Sequence, residues 1–338
     1  MASEQFLGSE LRIGPVPMRG RAVLAPMSGI SDVAFRRIAA RFGAGLVVTE
    51  MVAAAAYVAR ADEARLRSEG QGIQPHVVQL VGRNPRAMGA AARLAEASGA
   101  EIIDINFGCP AKKVTGGLCG SALMREPDLA LAIVETVVAA VSVPVTVKMR
   151  LGWDDASRNA VVLASAAAAA GAQAVTVHGR TRQQFYSGRA DWDAIGEVAA
   201  ALALPVIANG DVVCAETARA CLARSGAAAV MIGRAAVGQP WIVGEVAAAL
   251  AGRPFAPPSW AERAGVALEH YEAMLTLYGT EMGVRHARKH LAAYADRATE
   301  AGFGLAETDR RTLLTTTEPG LVACLLRRLY AEPARLAA

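Results

Sequence analysis

The feature that most constrains the fold is a repeated alternation of short apolar runs with longer, alanine-rich segments of helical pattern. Most of the short runs are apolar throughout, as expected for parallel strands that are buried on both faces. Eight such units in series favour a closed barrel over an open doubly wound sheet, so we predict an α/β fold, a (β/α)₈ TIM barrel. The predicted strands are Arg21–Ala25, Leu46–Thr49, His76–Leu80, Ile102–Asn106, Val145–Lys148, Ala174–His178, Pro205–Ala208 and Ala229–Ile232.

The segments between these runs have the pattern of amphipathic helices. Gly99, Gly171 and Gly226 each follow one of them, where a helix end favours a residue in the left-handed conformation. The predicted helices include Asp32–Arg41, Pro85–Ser98, Asp128–Val141, Ser157–Ala170 and Ala215–Ser225.

The pattern changes after Gly233. A link rich in proline and glycine (252–258) interrupts the chain, and only helical periodicity follows, from Ser259 to about Arg335. Ser259 and Glu262 have the spacing of a capping box. The chain has 338 residues, which suits one barrel of about 250 residues and a smaller appendage. We therefore predict a barrel domain over residues 1–250 and a small helical domain over 251–338.

Composition excludes several classes of protein. The five cysteines are an odd number without CxxC spacing, which argues against a disulfide framework and against a zinc site, so no metal is predicted. The longest apolar stretch (160–177) is interrupted by polar residues and does not read as a membrane span. No basic region followed by an apolar core begins the chain, so we expect a cytoplasmic protein. The net charge of +4 is compatible with an anionic partner but does not demonstrate one.

Polar and glycine residues recur where the predicted strands end, which is where TIM barrels place their active sites. Gly210 and Gly233 follow the seventh and eighth strands, the usual phosphate site of this fold, and Arg234 adds a cation. Each glycine alone is better explained by a tight turn, but the pair after the seventh and eighth strands favours phosphate binding. The remaining residues of this set are Pro26, Met27, Ser28, Gln79, Asn106, Cys109, Lys148, His178, Arg180, Asn209 and Asp211.

Lys148 ends an apolar strand, where a buried lysine without a partner would be costly. It could stabilise electron density on a bound ring, or act as a Schiff-base amine with a lowered pKa; a lysine reaching into the barrel mouth is a third interpretation. His178 and Gln79 could contact a cofactor or simply satisfy neighbouring polar groups.

Cys109 is the most specific candidate for a catalytic residue, because it follows a short turn after the fourth strand and precedes a proline, so the backbone constrains its position. A cysteine is by default a small buried hydrophobe. However, the glycine-rich loop that follows (111–120) has the composition of a lid. A thiol with an ordinary pKa of about 8.5 is mostly protonated at neutral pH, which suits a proton donor better than a nucleophile. His178 is the histidine that could activate a nucleophile there.

Taken together, these motifs resemble the tRNA-dihydrouridine synthase family, in its bacterial DusB-type branch. The resemblance runs from about Gly20 to about Tyr294. Any one motif is weak, but the combination is specific. The motifs are Ala25-Pro26-Met27, Asn106-Phe107-Gly108-Cys109-Pro110, Val147-Lys148-Met149-Arg150, Val177-His178-Gly179-Arg180-Thr181, Asn209-Gly210-Asp211 and Met231-Ile232-Gly233-Arg234.

The resemblance implies an enzyme that holds FMN in the barrel mouth and uses NADPH as reductant. It implies reduction of the C5=C6 bond of uridine in tRNA, with a hydride from reduced FMN to C6 and a proton from Cys109 to C5. Asn106 would orient the uracil. The implied flavin contacts are Pro26, Met27, Ser28, Gln79, Lys148, His178, Asn209, Gly210, Asp211, Gly233 and Arg234.

The implied partner is tRNA, whose target base must leave its stack to reach the pocket. We expect Lys112 and Lys113 on the loop after Cys109, together with Arg180, to contact the substrate. The basic run in the helical domain contributes Arg285, Arg288 and Lys289, which share one helix face by spacing; an ordinary solvated face is the alternative. The resemblance points to the D-loop, with position 17 as the expected site. We expect no obligate protein partner, and a monomer.

The sequence is also compatible with three other functions. The first is a flavin-dependent dehydrogenase of a small pyrimidine-like molecule, such as a dihydroorotate-type enzyme, which would not explain the basic helical run. The second is a lyase that uses Lys148 as a Schiff-base amine. The third is a non-enzymatic RNA-binding or regulatory protein on the same scaffold, against which an intact Cys109 argues.

Overall fold

The structure is a computed structural model that describes residues 10–331. A two-stranded antiparallel ribbon precedes a nine-stranded parallel sheet. The strands are β1 (Arg12–Ile13), β2 (Val16–Pro17), β3 (Ala22–Leu24), β4 (Leu46–Val47), β5 (Val52–Ala53), β6 (Val77–Val81), β7 (Ile102–Phe107), β8 (Val145–Arg150), β9 (Ala174–His178), β10 (Val206–Asn209) and β11 (Ala229–Ile232). The helices are α1 (Val33–Arg41), α2 (Ala54–Val58), α3 (Asp62–Ser68), α4 (Pro85–Ala97), α5 (Lys112–Thr115), α6 (Pro127–Val138), α7 (Ala160–Ala169), α8 (Trp192–Ala201), α9 (Ala215–Ser225), α10 (Ile242–Leu250), α11 (Trp260–Tyr278), α12 (Thr280–Glu300), α13 (Glu307–Thr315) and α14 (Pro319–Arg328).

The parallel sheet curls into a barrel surrounded by helices. Its strands pair in the order β4-β3-β11-β10-β9-β8-β7-β6-β5. A parallel bridge between Val48 and Val77 then joins the segment after β4 to β6, so that the two ends of the sheet meet. The predicted TIM-barrel fold is confirmed.

The second barrel strand differs from its prediction. Leu46–Thr49 was expected as one strand, but the structure has two short strands, β4 and β5, separated by four residues. The hydroxyl of Thr49 accepts a hydrogen bond from the amide of Gln79 at 2.9 Å and donates to the carbonyl of Glu50 at 2.8 Å. A side chain therefore replaces part of the backbone ladder at this point, and the strand is interrupted.

The inside of the barrel changes character along its axis. Alternate residues of each strand point inward. Near the amino ends the inward residues are apolar, and Val23, Ile102 and Ile207 form one buried cluster with Ile13 of the ribbon. The ribbon therefore covers the amino end of the barrel, while polar residues occupy the inward positions nearer the carboxyl ends.

The helix ends follow the predicted signals. Asp32 caps α1 by accepting a hydrogen bond from the amide of Phe35 at 3.0 Å. Gly99, Gly171 and Gly226 have φ angles of +93°, +102° and +59°, the left-handed region that a side chain disfavours. The predicted glycine stops of three helices are confirmed.

Helices α11 to α14 pack around a buried cluster of their own, which includes Tyr271, Leu291 and Leu325. The predicted capping box between Ser259 and Glu262 begins α11. The boundary at residue 250 stays a prediction, and the periodicity expected up to Arg335 runs past the described residues. Within residues 10–331, no helix is long and apolar enough to cross a membrane.

Candidate active site

A chain of hydrogen bonds links inward side chains of neighbouring strands β6, β7 and β8. The buried carboxylate of Asp104 accepts from the amide nitrogen of Gln79 at 2.7 Å and from the hydroxyl of Thr146 at 2.6 Å. The oxygen of the Gln79 amide accepts from Asn106 at 2.7 Å. Burial raises the pKa of Asp104, although the two hydrogen bonds act to lower it. These hydrogen bonds fix the orientation of the Gln79 and Asn106 side-chain amides, because the nitrogen of each amide must donate and its oxygen must accept.

The Cys109 turn is held from both sides. The side-chain oxygen of Asn106 accepts hydrogen bonds from the backbone amides of Gly108, at 3.1 Å, and of Cys109, at 2.9 Å. The hydroxyl of Ser121 donates to the carbonyl of Cys109 at 2.9 Å. Burial raises the pKa of the Cys109 thiol. The thiol is thus fixed in position and protonated at neutral pH, as a proton donor requires.

Arg150 holds the Cys109 turn, a contact that the sequence did not predict. It ends β8, is 2% exposed, and its Nε donates to the carbonyl of Gly108 at 2.9 Å. Its Nη1 donates to the carbonyls of Thr181, at 2.9 Å, and Phe185, at 2.8 Å. This arginine therefore ties the Cys109 turn to the loop after β9. Its signals in the sequence were a basic residue at the end of an apolar strand and its place in the motif Val147-Lys148-Met149-Arg150.

Lys148 of β8 is linked through Asn209 of β10 to β11. Its Nζ donates to the Asn209 amide oxygen at 3.1 Å, and the Asn209 amide nitrogen donates to the carbonyl of Met231 at 2.8 Å. Burial, and then the charge of Arg150, lower the pKa of Lys148 to about 8. The pKa of His178 lies well below its ordinary value, first through burial and then through the charge of Lys148. The site thus combines an ammonium that deprotonates easily with a neutral imidazole.

The turn after β10 has no room for a side chain at Gly210. Gly210 has a φ of +117°, and a Cβ there would lie 2.7 Å from that of Ala190 and 3.0 Å from the His178 ring. Asp211, at φ +57°, accepts two hydrogen bonds from the guanidinium of Arg180, at 2.9 and 2.8 Å, and one from the amide of Ala190 at 2.7 Å. The turn is therefore held rigidly.

The side chain of Arg180 is buried and not on the surface. It is 2% exposed, and besides Asp211 it donates to the carbonyls of Ser187, at 3.0 Å, and Gly188, at 2.6 Å. Its guanidinium shapes the loop after β9. The predicted substrate contact stays a prediction.

The loops after β3 and β11 lie side by side. A Cβ added to Gly233 would come within 3.6 Å of Ala25 and 3.7 Å of the Met27 sulfur. Pro26 and Met27 are half-buried and Ser28 is exposed. The Arg234 side chain is 61% exposed, and its Nη2 lies 3.8 Å from the Asp211 carboxylate. The predicted loops of the phosphate site thus converge at one rim of the barrel mouth.

The barrel mouth carries exposed aromatic residues that the sequence did not predict. The guanidinium of Arg234 lies 4.6 Å from the ring centroid of Tyr186, which neighbours the exposed Phe185 and the ring of His178. Such rings are suited to stacking on a nucleobase. No pattern around residues 181–190 distinguished them from an ordinary loop.

The lysines and arginines that were predicted to contact the substrate lie in different surroundings. Lys112 and Lys113 are exposed on α5, and Arg285 pairs with Glu281 at 3.0 Å. Arg288 donates to the carbonyl of Thr315 at 3.0 Å, which holds it within the helical region. The Lys289 Nζ lies 2.6 Å from where a Cβ of Gly29 would be, and therefore reaches the loop after β3.

Comparison with known proteins decides the family. The model of the family described as dihydrouridine synthase (Dus) matches residues 23–318, which includes every strand of the barrel except the first residue of β3.

The chain belongs to the dihydrouridine synthase family. It is 53% identical to a probable tRNA-dihydrouridine synthase of Rhizobium leguminosarum, over 93% of this chain and 95% of that protein. It is 45% identical to the tRNA-dihydrouridine synthase B of Pseudomonas putida, over 85% and 86%. The predicted family and the prediction of an enzyme, an oxidoreductase, are confirmed.

A solved structure shares the fold of this dihydrouridine synthase. The chain matches 2-naphthoyl-CoA reductase in complex with 2-naphthoyl-CoA with a TM-score of 0.56, over 75% of this chain and 53% of that one. At 11% sequence identity the match supports the barrel architecture and nothing finer.

Proposed function

We propose that this dihydrouridine synthase reduces the C5=C6 bond of a uridine in the D-loop of tRNA, at position 17, in the cytoplasm. The proposed cofactor is FMN and the proposed reductant is NADPH; we expect a monomer. The observation that carries the proposal is a protonated, immobilised thiol, Cys109, at the mouth of a barrel whose chain belongs to this family. The names of its relatives supply tRNA as the substrate.

The residues at the mouth fit FMN. Gly233 has no side chain where the loops after β3 and β11 meet, so a phosphate could approach its backbone. Arg234 beside it supplies an exposed cation, which lies near Asp211 of the rigid turn after β10. Lys148 is a buried ammonium whose one hydrogen-bond partner is neutral, so an electron-rich ring edge would complete its surroundings. The residues proposed to hold FMN are Pro26, Met27, Ser28, Gln79, Lys148, His178, Asn209, Gly210, Asp211, Gly233 and Arg234.

FMN, when bound and reduced, supplies the hydride that C6 of the uracil accepts. Cys109 gives its proton to C5, and its raised pKa keeps the proton in place until then. Asn106 still has an amide hydrogen free beyond its contact with Gln79, with which it would orient the uracil. Arg150 positions the Cys109 turn through the carbonyl of Gly108. The protein thus places the base and provides the proton.

The test uses purified protein, NADPH and an unmodified tRNA transcript. Mass spectrometry of the digested tRNA is expected to show NADPH-dependent dihydrouridine at one D-loop position. Free uridine and dihydroorotate serve as parallel substrates. Turnover of either small molecule without any change in tRNA would contradict the proposal and favour the small-molecule dehydrogenase instead.

The pH dependence of the chemical step is expected to follow the Cys109 thiol. A general acid must be protonated, and burial has raised the pKa of this thiol. The single-turnover rate should therefore stay level through neutral pH and fall only when pH rises past the raised pKa. Stopped-flow oxidation of reduced enzyme by tRNA measures this rate. A rate that rises with pH through the alkaline range would mean that the thiolate is the active form.

The exposed lysines of α5 are expected to contact tRNA phosphates. Replacing Lys112 and Lys113 by alanine should weaken tRNA binding and lower the slope of log affinity against log salt by about 1–2, because two fewer counterions are released. Arg219 and Arg224, on the outer helix α9, provide a charge-matched control pair. An unchanged slope for the α5 variant, or an equal change for the α9 variant, would refute this contact.

A further inference from the structure

A buried cluster of one carboxylate and two imidazoles joins the helical region to the barrel. Asp32 lies at the start of α1, directly after the loop that follows β3, while His270 lies on α11 and His290 on α12. Their side chains are only 2%, 1% and 2% exposed. The reaction proposed above uses none of them, so the cluster calls for its own explanation.

The ligand atoms of the cluster converge on one point. Oδ2 of Asp32 lies 3.3 Å from Nε2 of His270 and 3.7 Å from Nε2 of His290. One such atom from each residue lies within 4.8 Å of the other two. Tetrahedral zinc with bonds of about 2.0–2.1 Å separates its ligand atoms by roughly 3.3–3.4 Å. The two separations between the carboxylate and the imidazoles, 3.3 and 3.7 Å, are close to this value.

The buried ring of His290 makes no hydrogen bond with the described residues. Neither of its ring nitrogens has a hydrogen-bond partner, although both are buried. A buried polar group of this kind calls for a missing water or ion.

His270 has the second contact that metal-binding histidines need. Its Nδ1 lies 3.2 Å from the hydroxyl of Tyr294, while Nε2 faces Asp32. A partner on the far nitrogen fixes ring orientation and tautomer in metal sites. The other oxygen of Asp32 is likewise oriented, by the amide of Phe35.

We propose that Asp32, His270 and His290 bind one divalent transition-metal ion of the zinc class, with water in a fourth position. The site goes beyond the proposed reaction and does not depend on it. The ion would fix α11 and α12 against the loop after β3, where Lys289, the neighbour of His290, also reaches Gly29. The prediction that no metal binds was based on the number and spacing of the cysteines. It could not detect this site, because the three ligands are far apart along the chain and form no local motif.

The test measures metal binding directly. Full-length protein without a polyhistidine tag is stripped with a chelator and dialysed against buffered free Zn²⁺, and bound metal is counted by elemental analysis. X-ray absorption at the zinc edge then identifies the ligands. We expect one equivalent of zinc, with nitrogen and oxygen ligands and no sulfur. Failure of the wild-type protein to take up zinc while it remains folded would overturn the proposal.

Variants separate this site from adventitious binding. His290→Ala is expected to lower zinc affinity at least tenfold, and Tyr294→Phe about 10–100-fold through the orientation of His270. His286→Ala is the matched control, because His286 lies on the same helix but packs against Tyr278 outside the cluster. Equal zinc binding by His290→Ala and wild type would refute the assignment, even if tRNA reduction proceeds normally in both.

Discussion

The Cys109→Ala variant is expected to bind FMN normally and to form dihydrouridine about 10²–10⁴-fold more slowly than wild type, the usual contribution of a general acid. The turn that carries Cys109 is held through backbone groups, by Asn106 and Ser121. Loss of the sulfur should therefore leave the turn in place. Flavin absorbance of the purified variant and single-turnover formation of dihydrouridine measure the two effects separately.

Cys119 provides the matched control for this experiment. It is the other thiol of the same loop, is half-buried, and has no polar side chain of the site among its hydrogen-bond partners. Cys119→Ala should keep nearly all activity. Turnover of Cys109→Ala within a few-fold of wild type would remove the proton donor from the proposed mechanism.

Gly210→Ala is expected to lose most of its bound FMN. The residue has a φ of +117°, and an added Cβ would meet Ala190 at 2.7 Å and the ring of His178 at 3.0 Å. Backbone strain of this kind costs about 1–3 kcal/mol, and the clash adds to it, so the turn must move. Each ~1.4 kcal/mol lost from binding lowers FMN affinity tenfold.

The ratio of FMN to protein, and the FMN affinity from fluorescence quenching, measure this effect. Gly188→Ala is the control, because Gly188 also has a positive φ, +68°, but a Cβ there would meet nothing within 4 Å. Thermal unfolding of both variants separates a local loss of FMN from a loss of the fold. Full FMN occupancy in Gly210→Ala would show that the turn after β10 does not hold the cofactor.

The barrel was predictable because its strands are apolar on both faces and recur between helices. The interrupted second strand was not, because the interruption depends on a hydrogen bond from the amide of Gln79 to the hydroxyl of Thr49, 30 residues earlier in the chain. Local pattern contains no information about such a partner.

The ends of the strands were predicted correctly as the place where polar residues gather, and the structure does bring Lys148, His178 and Asn209 together. The roles of Arg150 and Arg180 were not predictable. Each bonds to carbonyls that become neighbours only when the loops fold. The predicted roles of the site residues toward FMN and tRNA stay predictions until they are tested.

A map of dihydrouridine across all tRNAs in a strain that lacks this gene tests directly whether the protein modifies tRNA. Complementation with wild type and with Cys109→Ala completes the experiment. We expect that dihydrouridine disappears from one D-loop position, that wild type restores it, and that Cys109→Ala does not. A dihydrouridine map that is the same with and without the gene would show that this protein does not reduce a uridine of tRNA in the cell.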